Sequence, residues 1–258
     1  MTKGVNAGQK KSSSIEIKPV DRILLIDQII DIIKVQIAQG KINPGDKIPG
    51  ERTLSEMFNV SRTSVRQALK ALEVLGVLEI RHGSTTTLNK DISNLLINPL
   101  KFMSILYNVG ISELFDTRRT IEVDLAKKAA IHATTEDLSM MRKCLEKMEN
   151  NLDNPDVYLY SEKNFHEGIF AASRNRILTA TIISLNKLLI SSRQESIKLF
   201  RNLRDSLNEH LKIFRAIEKK DSELAGQAML EHLADVEKRL NTIDLDYLNE
   251  KLSKSIIG

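Results

Sequence analysis

Residues 44–88, PGDKIPGERTLSEMFNVSRTSVRQALKALEVLGVLEIRHGSTTTL, read as two short helices joined by a tight turn and followed by a β-hairpin. In the first helix Leu54, Met57 and Phe58 supply an apolar face, and Asn59-Val60 supply the turn. Ser61 stands where a helix N-cap is needed. Beyond it Val65, Ala68, Leu69, Leu72 and Leu75 recur at helical spacing and give the second helix a buried face. Gly76 ends that helix by tolerating a left-handed backbone. Val77 to Arg81 and Thr85 to Leu88 are rich in branched residues and form two strands, with His82-Gly83-Ser84 turning the chain between them.

This order is the outline of a winged helix-turn-helix. Arg62 and Arg66 emerge one turn apart near the N-terminal end of the second helix, the end that a recognition helix applies to base edges. An arginine fork can bond guanine O6 and N7 together and discriminate against a wrong base by about 1–3 kcal/mol. Taken alone, an SRxxxR run reads more readily as solvated charge on an amphipathic helix than as a base-reading pair. The apolar face, the turn and the hairpin around it turn the balance toward DNA, with Lys70 placed for phosphate.

The stretch PGDKIPGERTLSEMFNVSRTSVRQALKALEVLGVL resembles the DNA-binding domain of GntR-type bacterial transcription regulators, and the wing RHGSTTTL resembles the FadR branch. The resemblance implies contacts to double-stranded DNA from Arg52, Arg62, Thr63 and Arg66, with His82 and Gly83 of the wing at the minor groove. Two departures stand out. Gly50 occupies the position where the family usually carries a capping serine, and the wing tip lacks a second glycine.

The rest of the chain fits a two-domain regulator. At 258 residues it can bury two modest cores, and with 4% aromatic residues and no Trp those cores must be aliphatic, which favours helices. The formal charge of +4 and the sequence pI near 9.0 permit nucleic-acid binding without establishing it. The one cysteine, Cys144, excludes an intramolecular disulfide and a cysteine-rich zinc site, and it reads as helix packing. No apolar run approaches the roughly 20 residues of a membrane span and no signal-peptide core is present, so the expectation is a cytoplasmic protein with no membrane partner.

The expected fold is mainly α: a winged helix-turn-helix with a small β-hairpin wing, then an antiparallel all-α helix bundle. Residues 1–17 are polar and small, a flexible arm in which Lys10 and Lys11 lie near the end. Residues 18–90 form the DNA-binding domain, its first helix being the densely apolar DRILLIDQIIDIIKVQIA of Asp21 to Ala38. After a polar linker and a break at Pro99, residues 91–245 form the bundle, and residues 246–258 a tail. Bundle periodicity shows in Leu125, Ala126, Ala129 and Ala130 and in Ile182, Leu185, Leu188 and Leu189.

The histidines of the second domain are its informative residues. Glu162 and His166 are four apart in YSEKNFHEGIF, so a helix projects both from one face, where they could share a metal. His210 and His232 lie further on; each alone reads as an ordinary exposed or hydrogen-bonded histidine, and periodicity does not say whether they converge.

LFDTRRTIEVDLAKKAAIHA, EKNFHEGIFAASRNRIL and NEHLKIFRAIEKKDSELAGQAMLEHLADVEKRL are similar to the FCD ligand-binding domain of many FadR-branch regulators. That resemblance implies a divalent metal held by Glu162, His166, His210 and His232, with Glu162 departing from the family's usual aspartate. Three nitrogens and one oxygen suit zinc or nickel, and a metal that takes five or six neighbours keeps room for a small carboxylate effector, a hydroxy acid or sugar acid. Arg119 is the expected partner of that carboxylate. Asn175 has two readings, an effector contact or the cap of the next helix.

The function expected is a homodimeric repressor on a pseudo-palindromic operator, without catalysis. Two other readings stay open. One is a metalloenzyme fused to a DNA-binding head; the other is an architectural DNA-binding protein with a structural metal.

Overall fold

The computed structural model describes residues 22–81, 85–91, 93–189, 203–240 and 250. The arm (1–17), the wing residues His82 and Gly83, and all of the tail (246–258) except Glu250 lie outside the described residues.

The N-terminal part begins with α1 (Arg22–Ala38), which lays Ile29 and Ile33 against the helix-turn-helix. α2 (Glu51–Phe58) and α3 (Arg62–Val74) follow, joined by Asn59 in a left-handed conformation, φ 54°. Ser61 caps α3 as its sequence position requires, its hydroxyl accepting from Ser64 N at 3.1 Å. Gly50 caps α2 with extended backbone and no side-chain bond. Val65, Ala68, Leu69 and Leu72 of α3 are buried. Two residues expected in this core are exposed instead. Met57 lies beside the stripe that Leu54 and Phe58 already fill in a two-turn helix, and Leu75 sits past the last turn of α3.

Gly76 has φ +74°, and the amides of Gly76 and Val77 return to Glu73 and Leu72 carbonyls at 2.8 and 2.9 Å, closing the end of α3. The sheet is antiparallel in the order β1-β3-β2: β1 (Lys47–Ile48), β2 (Leu78–Arg81) and β3 (Thr85–Leu88). Leu78 pairs with Leu88 and Arg81 with Thr85, the register expected of the wing. The additional β1 pairs Ile48 with Thr86. Two residues carry too little alternation to announce a strand.

A second hydrophobic cluster, from Ile111 to Leu240, belongs to the helices that follow. They are α4 (Asn94–Leu106), α5 (Ile111–His132), α6 (Thr135–Glu149), α7 (Pro155–Ala172), α8 (Arg176–Leu188), α9 (Leu203–Glu218) and α10 (Ser222–Leu240). Pro99 does not break the chain here. It lies inside α4, past the first turn, where its missing N–H removes one helical bond while the helix continues on either side. α9 and α10 are joined through Lys219, Lys220 and Asp221, with Lys220 at φ 57° and the Asp221 carboxylate accepting from Leu224 N at 3.0 Å. Among the described residues no helix is long and apolar enough to cross a membrane.

Candidate metal centre and nucleic-acid interface

α7, α9 and α10 bring Glu162, His166, His210 and His232 together, each buried, with one donor atom from each lying within 4.8 Å of the others. His166 and His210 face one another through their Nε2 atoms at 3.1 Å. Two nitrogens about 2.0–2.1 Å from one ion sit roughly 3.0–3.4 Å apart, so this separation suits a shared ligand. Glu162 Oε1 lies 3.7 Å from His210 Nε2; the extra methylene of glutamate still leaves its carboxylate in the cluster.

The histidine tautomers follow from what lies behind the rings. His210 Nδ1 donates to the Ser206 carbonyl at 2.6 Å and His232 Nδ1 donates to Glu209 Oε2 at 2.9 Å. Both rings therefore present Nε2 as a lone-pair donor, the arrangement typical of metal-binding histidines whose other ring nitrogen is hydrogen-bonded to a carbonyl or carboxylate. Burial pushes His210 down to about 4, and the neighbouring His232 adds to that effect against the opposing pull of Glu162, Ser206 and Glu209. The ring is neutral at pH 7, the form that ligates. Burial pushes Glu209 up, but bonds from His232 and Arg239 outweigh it and hold the carboxyl below its ordinary value. Arg239 reaches Glu209 Oε1 at 3.1 Å, so a cation stands behind the carboxylate that holds His232. The donor set, its burial and its fixed tautomers fit a divalent ion.

Beside this cluster lies a buried ion pair absent from the expected site. Arg118 Nε donates to Glu122 Oε1 at 2.7 Å, with side chains 1% and 0% exposed, and Glu122 Oε2 lies 3.8 Å from His166 Nδ1. Arg118 stacks over Phe115 at 4.9 Å from the ring centroid, and its Nη1 has no hydrogen-bond partner among the described residues. A buried, unspent guanidinium donor is expensive without an acceptor.

Arg119, the arginine expected to meet the effector, points elsewhere. It pairs with Asp116 and Glu237 and is partly exposed. Consecutive helical residues differ by about 100° around the axis, and the buried stripe of Phe115, Glu122 and Leu125 takes Arg118 inward and leaves Arg119 outside. Asn175 is the N-cap of α8, its Oδ1 accepting from Leu178 N at 3.1 Å, the second of its two readings. An Arg-Arg doublet hides which member is internal; the Glu four residues after Arg118 was the available signal.

On the N-terminal domain Arg52, Arg62, Thr63 and Arg66 are all exposed, the last three on the first turn and a half of α3. Arg66 is held by Glu51 of α2, Nε at 3.0 Å and Nη2 at 2.7 Å from its carboxylate, and this contact lowers Glu51 below the ordinary carboxylate value. The guanidinium is thus aimed along the outer face of the helix pair. Lys70 pairs with Glu73 at 2.6 Å.

Comparison with known proteins agrees with both halves. Residues 25–88 match the family model described as bacterial regulatory proteins, gntR family, and residues 113–235 match the FCD domain. The chain is 30% identical over 229 residues to the HTH-type transcriptional repressor NanR of Klebsiella aerogenes, covering 87% of this chain and 88% of the relative. It belongs to the GntR family. It is similar to the HTH-type transcriptional regulator LutR of Bacillus subtilis, 29% identical and covering 80% of this chain and 96% of LutR. Among solved structures it is similar to the GntR protein of Streptococcus agalactiae, with a TM-score of 0.63, 27% identity, and coverage of 83% of this chain and 99% of that one. This GntR-family chain is therefore a DNA-binding transcription regulator and not an enzyme. Regulators of the GntR family bind DNA and typically dimerise, and FCD domains often bind metal.

Proposed function

We propose that this regulator is a cytoplasmic homodimeric repressor whose grip on a pseudo-palindromic operator is set by a small carboxylate, a hydroxy acid or sugar acid, bound beside a zinc or nickel ion in the bundle. The observation that carries the reading is the buried Glu162, His166, His210 and His232 cluster next to the Arg118–Glu122 pair. Three neutral imidazoles and one carboxylate leave a divalent ion with one net positive charge, while Arg118 and Glu122 cancel. A monoanion completes that balance in a medium where unpaired charge is costly. Arg118 Nη1, without a hydrogen-bond partner among the described residues, is the donor best suited to an acid's second oxygen. A bound ion would supply positions for the acid's oxygens; the protein's own part is to orient the acid and exclude water.

The operator is read by Arg62, Thr63 and Arg66 of α3, with Arg52 on the backbone and His82 and Gly83 of the wing at the minor groove. Two heads related by a two-fold axis require two half-sites. The acid changes operator affinity only by as much as it prefers one placement of the heads over another. The relative NanR, described as a repressor, supports the sign of the effect.

The test is a thermal-shift screen of small carboxylic acids against zinc-loaded and metal-stripped full-length protein, repeated with His210→Ala. The expected hit requires metal, is lost in the variant together with bound zinc, and lowers affinity for DNA selected by the protein from a random pool. A hit indifferent to metal, or unchanged zinc content in His210→Ala, would overturn the reading. A zinc-dependent fold with no responding acid would make the metal structural.

A further inference from the structure

A small pocket opens on the α7–α8 side of the metal cluster. Among the described residues it is lined by His166 itself, Lys163, Phe170, Ile183, Asn186 and Lys187, with Glu167 as its one carboxylate, 3.5 Å from Lys163. Its volume is about 60 Å³, room for a carboxylate group but not for a whole sugar acid. Asn186 is buried and its Oδ1 has no hydrogen-bond partner among the described residues. The wall of the pocket is thus built from two lysine side chains and an amide beside a ligand histidine, largely through their apolar stems.

Lys187 has a second set of contacts. Its Nζ donates to Asp91 Oδ2 at 2.9 Å, Ser93 Oγ at 2.7 Å and Asn94 Oδ1 at 2.9 Å, all of them on the connection between the two hydrophobic cores. Ser184, one turn before, donates to the Ser93 carbonyl at 2.7 Å. Burial raises Asp91, but bonds from Ser93 and Lys187 prevail and hold it below its ordinary value. That connection rests on the end of the recognition helix. Asn98 Nδ2 donates to the Val74 carbonyl at 3.3 Å, Asn89 Nδ2 to the Gly76 carbonyl at 3.1 Å, and a Cβ at Gly76 would stand 2.5 Å from the Asn94 carbonyl oxygen.

We propose that Lys187 is a shared cation: it latches the 91–94 connection when the pocket beside His166 is empty, and binds a second anionic group of the effector when the pocket is filled. This rests on the acid-sensor reading above and narrows it to acids with two anionic groups, one at the metal cluster and one at Lys187, with Lys163 assisting. Three donors on one ammonium saturate it, so an arriving anion must displace at least one linker acceptor. Asp91, the charged one, competes most directly. By reciprocity the latch weakens acid binding by the same factor that the acid weakens the latch.

The test compares lactate with malate, α-hydroxy acids that differ by a second carboxylate, on zinc-loaded full-length protein. Titration calorimetry gives affinity, and hydrogen exchange of residues 89–98 reports the connection. Wild type is expected to bind malate at least about fivefold more tightly than lactate, with malate alone raising exchange in 89–98. Lys187→Met should lose the malate preference and exchange fast without ligand. Asp91→Asn should exchange fast without ligand yet bind malate about threefold or more tightly than wild type, an effect opposite to that of a merely damaged fold. Binding of both acids with no dependence on Lys187 or Asp91 would overturn this inference alone. Binding of neither acid to zinc-loaded wild type would overturn the sensor reading with it. Slow exchange in 89–98 in both variants would overturn the latch.

Discussion

Replacing Arg118 by Met and, separately, Arg119 by Met makes the sharpest test of which arginine belongs to the site. Arg118→Met strips the cation from Glu122, a carboxylate with no exposure, and breaking a buried pair from one side costs about 3–5 kcal/mol. Arg119→Met removes contacts to Asp116 and Glu237 that water can replace, a loss of about 0–1 kcal/mol. With a urea slope of about 2 kcal/mol/M, the first change lowers the unfolding midpoint by roughly 2 M and the second by under about 0.5 M. The double variant Arg118→Met/Glu122→Leu should recover most of the loss, because apolar residues of similar volume replace both charges. The assay is urea unfolding of metal-free protein followed by far-ultraviolet circular dichroism. Any acid found in the thermal-shift screen should still stabilise Arg119→Met and no longer stabilise Arg118→Met. Equal losses for the two single variants, or no recovery in the double, would refute the placement of Arg118 as the inward residue.

Other consequences are as direct. Gly76→Ala forces a side chain into a left-handed backbone and against the Asn94 carbonyl, so it should cost about 2–5 kcal/mol and raise hydrogen exchange at the start of α4. For His210 the folded value of about 4 lies below the unfolded 6.5, so the unfolded chain takes up the proton first as pH falls. Its contribution is complete above pH 6.5 and declines toward pH 4 by roughly 3 kcal/mol in metal-free protein, and His210→Asn should flatten the pH profile of unfolding over that window. Arg62→Ala should reduce discrimination between operator and random DNA, whereas Lys70→Ala should weaken both and lower the salt slope by about 1, read by fluorescence anisotropy at several salt concentrations.

Much of this molecule was legible because its signals are local. Ser61, Asn59 and Gly76 each specify a backbone state that only a cap, a turn or a helix end requires, and all three take it. Leu125, Ala126, Ala129 and Ala130 announced a buried face by spacing alone. The four metal-site residues came from resemblance, since helical periodicity says which face a histidine occupies and nothing about which other helix it meets. What stayed hidden depends on long-range choice. Arg118 and Arg119 differ by a rotation that only the surrounding packing fixes, and Lys187 meets Asp91 across 96 residues of chain. Pro99 misled because a proline removes one helical hydrogen bond without obliging the helix to end there. The strand Lys47–Ile48 exists only because β3 offers it an edge.

The four convergent side chains span α7 to α10, with 44 residues between His166 and His210 and 23 between His232 and Glu209, which backs it. An occupant of that cluster therefore closes long loops in the unfolded polypeptide and acts as a removable cross-link. Its loss lowers the threshold for opening the bundle, and an opened bundle is what cellular proteases cut. Were a divalent ion held there, the abundance of the regulator would follow the supply of that ion.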